Sequence, residues 1–316
     1  MIVTRNLTKY YGSLCAVSDL NLDIKGEIFG LLGPNGSGKT TTVLMLTTLL
    51  RPTSGDAYIC GYHTTRSAAK VRSVISYVPQ DMAVDIRLTG RENVQLFARL
   101  YGLARSKDRV DELLGLMGLS GRADDLVSTY SGGMRRRLEL AQALVHEPSV
   151  LFLDEPTIGL DVAARRKIWG HIISLRKKGM TVFVTTHYME EADHACNRVA
   201  IIDRGSVAAI GTPGSLKGEL GKEIIVVRAE GDFDSFSTEN ATKIGCAGDE
   251  IVFSSDMGSD IVPILTKDLH AAGLTVRSVS VREPTLDDVF LQLVGQGDDR
   301  GPFDDRKFRM MLRRRG

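Results

Sequence analysis

The chain of 316 residues carries only four cysteines, Cys15, Cys60, Cys196 and Cys246, with no C-x-x-C pair and no histidine at metal-ligand spacing. That scatter argues against zinc and disulfides and predicts reduced, mostly buried thiols of a cytosolic protein. Long apolar runs are also lacking: VLMLTTLL (43–50) falls far short of a bilayer span, and the opening MIVTRNLTKYYG is too polar for a secretory signal. Charge of one sign is missing as well. The 40 Lys+Arg and 39 Asp+Glu leave a formal net charge of +1, so no chain-wide field draws the protein to phosphate backbones, and nucleic acid is not an expected partner. No internal repeat of useful period is visible.

What is present is globular. With 43% hydrophobic and 25% charged residues, the chain can bury one large core and still leave material for a second, smaller domain. Apolar runs ending in Gly or Asp alternate with stretches of helical period, the pattern of a mostly parallel sheet flanked by helices. Strands are expected near EIFGLL (27–32), VISYVP (74–79), SVLFLD (149–154), TVFVTT (181–186) and RVAIID (198–203). In ENVQLFARL (92–100) and RVDELLGLMGL (109–119) apolar residues recur at helical spacing, which predicts a helical insert over about 81–145. Beyond GTPGS (211–215), short strands and two helical stretches predict a small α+β domain over 222–295, following a first domain of 1–218. The final 21 residues, 296–316, end in the basic RKFRMMLRRRG and are expected to be a flexible tail.

GPNGSGKTT, Gly33 to Thr41, satisfies G-x-x-x-x-G-K-[ST] between an expected strand and an expected helix. Its glycines let backbone N–H groups of Gly33, Pro34–Ser37 and Gly38 curl toward phosphate oxygens, proline's missing donor excepted, and the following helix adds its positive dipole end. Lys39 then reaches the β- and γ-phosphates and Thr40 a Mg²⁺ ion; Asn35, Gly36 and Thr41 complete the loop. Such a loop implies a nucleoside triphosphate but does not separate a kinase, a GTPase or a transporter motor. SVLFLDEPT suggests a strand buried on both faces whose carboxylates emerge at the carboxyl edge of the sheet. There Asp154 would hold Mg²⁺ through water and Glu155 would orient and polarise the attacking water. TVFVTTH delivers His187 to the same edge, within reach of a γ-phosphate or the lytic water.

In YSGGMRRRLE (130–139), Ser131 is placed to cap a helix whose apolar stripe runs through Met134, Leu138, Ala141 and Val145. Successive residues lie about 100° apart around a helix, so Arg135, Arg136 and Arg137 fan over several directions and form no flat basic face. Glu139 stands three and four residues on, close enough to offset part of their charge. The Ser131-Gly132-Gly133 turn at a helix N-terminus reads as a second anion site, and two phosphate-binding elements in one chain suggest two chains sharing two nucleotides.

These motifs, with Gln80 in SYVPQD and the run TTHYMEEAD, follow the order and approximate spacing of the ATP-binding cassette (ABC) ATPases, and the chain resembles that family over roughly residues 2–216. The resemblance implies an α/β fold, a P-loop NTPase core of the ABC type with a helical subdomain insert and a small C-terminal α+β domain. It implies ATP and Mg²⁺ as cofactors, and a homodimer in which the Ser-Gly-Gly turn of one subunit closes over the γ-phosphate held by its partner. By motif, Tyr11 matches the aromatic that stacks on adenine, Gln80 the loop that ligates the ion and links the nucleotide to a transmembrane partner, and Asp161 the loop after the catalytic strand. Packing, a turn after Pro79 and a helix N-cap are the competing readings of those three.

Met134 stands where many cassettes carry Gln. That feature, with THYMEEAD and the C-terminal REPTLDDVFLQLVG, is similar to the drug-exporting branch, the daunorubicin-resistance ATP-binding proteins, whose permease is a separate polypeptide. The resemblance therefore implies an ATPase at the cytoplasmic face of the membrane, peripheral, powering export of a drug or drug-like natural product. A soluble ABC-type ATPase acting on ribosome or DNA, and an exporter of lipid or polysaccharide, stay open as alternatives.

Overall fold

The computed structural model describes residues 1–103, 107–231 and 236–295; the basic tail expected over 296–316 lies outside them. In chain order the elements are β1 (Ile2–Tyr11), β2 (Leu14–Ile24), β3 (Ile28–Leu32), α1 (Lys39–Leu46), β4 (Ser54–Ile59), β5 (Tyr62–His63), α2 (Ala68–Val74) and β6 (Ile75–Val78). Then follow α3 (Gly90–Leu100), α4 (Lys107–Leu116), α5 (Gly132–Ala143), β7 (Val150–Asp154), α6 (Val162–Lys177), β8 (Thr181–Thr186), α7 (Met189–Ala195), β9 (Arg198–Asp203) and β10 (Ser206–Gly211). The chain ends with α8 (Pro213–Gly218), β11 (Glu223–Glu230), β12 (Thr242–Ala247), β13 (Glu250–Ser255), α9 (Val262–Ala271), β14 (Thr275–Arg282) and α10 (Leu286–Gly295).

Two compact units divide at Ile210/Gly211. In the first, a six-stranded sheet of order β10-β9-β3-β8-β7-β6 pairs β9, β3, β8, β7 and β6 in parallel. Every residue of β3, β7 and β8 is buried, as a parallel sheet covered on both faces requires, and this is why those segments read as unbroken apolar runs. Phe29, Phe183 and Phe152 lie side by side in register across β3, β8 and β7, with ring centroids 5.6 Å apart at each step. The same core joins this sheet to α1 and to a four-stranded antiparallel sheet of order β2-β1-β4-β5. That second sheet was not expected: bulges between β1 and β2 break the alternation of buried and exposed residues, which weakens the period-two signal.

Between β6 and β7 run the helices of the insert. Thr89 and Glu92 form a reciprocal capping box at the start of α3, and Asn93 ties α3 to its own entry loop and to Gln142 of α5. The three consecutive arginines of α5 do leave the helix in different directions, and each is bonded to the surrounding chain. Arg135 donates to the carbonyls of Val127 and Ser128, Arg137 to those of Met117 and Gly118, and Arg136 is buried beneath the helix. Each satisfies carbonyls at the ends of neighbouring turns, so burial of the helix takes the stems and the guanidinium groups bond inward.

The second unit is an antiparallel sheet of order β12-β13-β11-β14, with α9 packing on β14 and on a core of Ile225, Val227, Phe253, Leu265 and Leu269. Helix α8, counted with the first domain in the sequence reading, belongs here and packs on α10. Thr212 caps it and Pro213 opens it, a start signal that GTPGS already spells. Arg282 grips Asp288 with both terminal nitrogens, at 2.6 and 2.7 Å, and Asp288 also accepts from the Thr285 N–H, which fixes the entry into α10. Burial pushes the Asp288 carboxyl up, but Arg282 and Thr285 more than offset it and hold the group below its ordinary value.

Candidate nucleotide site

Parallel strands deliver their carboxyl ends to one edge, and four neighbours in the sheet carry the sequence-expected groups there: β3 leads to Gly33–Thr41, β8 to His187, β7 to Asp154 and Glu155, and β6 to Gln80. The loop after β3 is tightly fitted. A Cβ on Gly33 would stand 2.2 Å from the Ile202 carbonyl oxygen, and one on Gly38, at φ +104°, 2.4 Å from that of Ala16. Only glycine fits either place. Pro34, Asn35 and Gly36 are exposed, whereas Ser37 is buried with its Oγ unpartnered among the described residues. Thr40 is exposed in the first turn of α1, with Thr41 half-buried behind it.

Lys39 turns back into its own loop. Its Nζ donates to the Gly33 and Pro34 carbonyls at 2.8 and 2.9 Å and stands 3.5 Å from Glu155 Oε1. Burial lowers its pKa, and the attraction of Glu155 opposes that shift without cancelling it. Glu155 Oε2 lies 2.9 Å from His187 Nδ1. Burial pushes the Glu155 carboxyl up, yet the hydrogen bond and charge of His187, with Lys39, bring it below its ordinary value. The result is a buried carboxylate that stays ionised at neutral pH.

Glu155 is also one of the few non-glycine residues with positive φ, at +47°. Left-handed backbone costs roughly 1–2 kcal/mol for such a residue, and Thr185 holds it there: the Glu155 N–H donates to both the carbonyl and the hydroxyl of Thr185. That hydroxyl donates in turn to Asp154 Oδ1. The other oxygen, Asp154 Oδ2, is buried and has no hydrogen-bond partner among the described residues. Tyr77 lies beside Asp154, and burial together with that carboxylate pushes its phenol up to about 12.

The remaining residues are placed as follows. Tyr11 ends β1, 47% exposed as a residue, with the Lys9 ammonium 5.3 Å from its ring centroid. Gln80 is exposed. Asp161 is exposed and caps α6 by accepting from the Ala164 N–H at 2.8 Å. Ser131 caps α5, accepting from the Met134 N–H at 3.3 Å; Ser131 and Gly132 are exposed and Gly133 half-buried. A Cβ on Gly133 would stand 2.9 Å from the Ala164 Cβ, so the turn lies against the start of α6.

Sequence reasoning missed Thr185, Tyr77 and Arg136. Two of them had a signal: Thr185 is a hydroxyl at the end of a run otherwise fit for a wholly apolar strand, and Arg136 stands within reach of Glu139 on a helix whose neighbours are apolar. Among the described residues no three His, Cys, Asp or Glu side chains converge as a metal cage. No helix of the described residues is long and apolar enough to cross a membrane.

Known proteins similar to this chain point to one family. The family model described as "ABC transporter" matches residues 17–158, and that of the "ATP-binding protein DrrA1-3-like, C-terminal domain" matches 211–294. The chain is 40% identical over 318 residues to the daunorubicin/doxorubicin resistance ATP-binding protein DrrA of Streptomyces peucetius, covering 96% of this chain and 94% of that one. It is 36% identical over 307 residues to the linearmycin resistance ATP-binding protein LnrL of Bacillus subtilis, covering 94% and 99%. Among solved structures, the dimeric post-hydrolysis state of the ATP-binding cassette MJ0796 bound to ADP and Pi superposes with a TM-score of 0.61 at 29% identity, over 67% of this chain and 98% of that one. An ATP-hydrolysing α/β core with a phosphate loop, a helical insert and a DrrA-like C-terminal domain thus places the chain in the family of ABC transporter ATP-binding subunits.

Proposed function

We propose that the chain works as a homodimer at the cytoplasmic face of a membrane, peripherally, on a separate permease, and that it powers export of a drug or drug-like natural product. The daunorubicin and linearmycin resistance named in its relatives supports that substrate class. The observation that carries the mechanism is the line Lys39–Glu155–His187, three side chains from adjacent strand ends in direct contact.

In this reading Lys39 exchanges its carbonyl partners for β- and γ-phosphate oxygens, which are better acceptors for an ammonium already short of solvent. Tyr11 stacks on the adenine, and the N–H groups of the loop, Gly36 and Gly38 among them, cradle the phosphates. Glu155 is held ionised and below its ordinary pKa, so it is a weak base; it orients and polarises the attacking water rather than removing its proton outright. His187 fixes the Glu155 carboxylate through Nδ1, which leaves Nε2 for the γ-phosphate or the water. The buried, unpartnered Asp154 Oδ2 and the exposed Thr40 fit the needs of a hard cation, and with Gln80 they would hold Mg²⁺. Bound there, the ion neutralises phosphate charge. The exposed Ser131-Gly132-Gly133 turn serves the γ-phosphate bound by a second copy, and Asp161 lies at the same joint.

Glu155→Gln tests the reading. It keeps the shape and removes the charge, so ATP still binds, turnover falls about 100-fold or more, and the protein accumulates as a dimer on size exclusion with ATP. A variant that stays monomeric at high protein and ATP, even with its permease supplied, would overturn the shared site.

A further inference from the structure

We propose that Arg136 and Glu139 form a positioning device that sets the Gln80 loop and the Glu155 turn by reference to the helix opening at Ser131. This rests on the roles given above to Gln80, Glu155 and Ser131.

Arg136 is 2% exposed and Glu139 4%. A guanidinium has five N–H donors in a rigid fork, and all five are directed at neighbours here. Nε donates to the Pro156 carbonyl at 2.9 Å; Nη1 donates to the Pro79 carbonyl at 2.7 Å and to Glu139 Oε2 at 2.9 Å. Nη2 faces the Asp154 carbonyl at 3.2 Å and the Glu155 carbonyl at 3.5 Å. Three consecutive carbonyls, those of Asp154, Glu155 and Pro156, therefore converge on one side chain. They flank the left-handed Glu155, at the point where β7 gives way to a turn in which the Ile158 N–H also bonds to the Glu155 carbonyl, at 3.3 Å.

Glu139 holds the other end. Its Oε1 accepts from the Ala83 N–H at 2.6 Å. The stretch from Pro79 to Ala83 is thus fastened to α5 at both ends, with Gln80 between the two anchors. One ion pair on one helix reaches both the loop before the insert and the turn that carries the reacting carboxylate.

Stability alone does not account for the pair. The attraction within a buried ion pair commonly gives no more stability than apolar side chains of the same volume; what Met at both positions would lose is the bonds to the Pro79 and Pro156 carbonyls and the Ala83 N–H. What Met cannot do is name which carbonyls must meet. A planar fork fixes their relative positions to within a hydrogen bond's tolerance, so a rotation of α5 at its Ser131 end displaces the Gln80 loop and the Glu155 turn together.

The test uses the full chain with its permease and reads kcat, the KM for ATP and the thermal midpoint separately. Arg136→Lys keeps the charge beside Glu139 and loses the fork. Its kcat is expected to fall at least about tenfold while the KM stays within about threefold. A kcat within about twofold of the parent overturns the proposal, as does a loss of turnover matched by an equal loss of ATP affinity. Should single variants fold poorly, Arg136→Met with Glu139→Met removes both buried charges together, avoids the lone charge that either single variant leaves, and is assayed below its own thermal midpoint. Turnover remains low if the pair positions the site; turnover that returns along with stability makes the pair merely structural and overturns the inference. Glu155→Gln is assayed in parallel. Normal hydrolysis by that variant would instead remove the role given to Glu155, a failure distinct from that of the Arg136 fork.

Discussion

The two glycine-bearing turns of the first unit, Gly33–Thr41 and Ser131–Gly133, differ in where their contacts end. The first is closed on its own chain: the backbones of Ile202 and Ala16 press on Gly33 and Gly38, Ser37 is tied to Gly205, and Lys39 reaches back to two carbonyls. The second is exposed at Ser131 and Gly132, and the bond from the Met134 N–H to Ser131 Oγ is the cap it makes for itself. Yet the helix behind the second turn is the more firmly held, with Arg135, Arg136 and Arg137 all bonded inward. A turn finished by its own chain is preorganised to bind alone. An outward-facing turn on an anchored helix is preorganised to bind something that another body brings.

Three substitutions break or sharpen that contrast. Lys39→Ala strikes the closed turn and has the largest effect: hydrolysis is lost, and the affinity of the isolated chain for ATP, read by titration calorimetry, falls at least about 30-fold. Normal ATPase activity in that variant would sink the assignment of the loop. Ser131→Arg strikes the open turn. It leaves monomer ATP affinity unchanged while hydrolysis falls about 100-fold, and a large loss of affinity in the monomer would show that the turn serves its own chain. Asp288→Asn, in the second unit, gives the reference for a charge pair that belongs to neither turn. Thermal unfolding should show a loss of about 2 kcal/mol, less than for a fully buried pair because Arg282 can reach water, with no change in turnover. The Asp288 carboxyl is held below its unfolded value, so its contribution is present at neutral pH and is lost as pH falls through the folded-state pKa. The gap between parent and variant should therefore hold down to about pH 5 and close below about pH 4.

The core of the first unit and its edge residues were legible because a fully buried parallel strand writes itself as an apolar run and the loop after it as a motif. EIFGLL, SVLFLD and TVFVTT each became strands whose carboxyl ends carry the expected groups. The antiparallel sheet was not legible, since bulges interrupt the pairing of β1 with β2 and both strands are exposed at intervals. What Arg136 bonds to was not legible for a physical reason: helical geometry says which way a side chain leaves the axis, not whether carbonyls wait there. The positive φ of Glu155 likewise has no sequence signature, because nothing local demands it; Thr185, thirty residues later in the chain, imposes it.

The three phenylalanines in register across β3, β8 and β7 bear on how the molecule can move. Sliding one of these strands against its neighbour would separate tilted rings packed in a buried core, at a cost of about 1 kcal/mol per pair beyond the burial of their area. The strand ends holding Lys39, His187 and Glu155 are therefore carried on a single stiff plate, and the amides of that plate should exchange with solvent only on global unfolding. Motion driven by the nucleotide must then be taken up outside the plate, in the loops and in the helices between β6 and β7, where the exposed apolar side chains Leu96, Leu100 and Tyr101 are found.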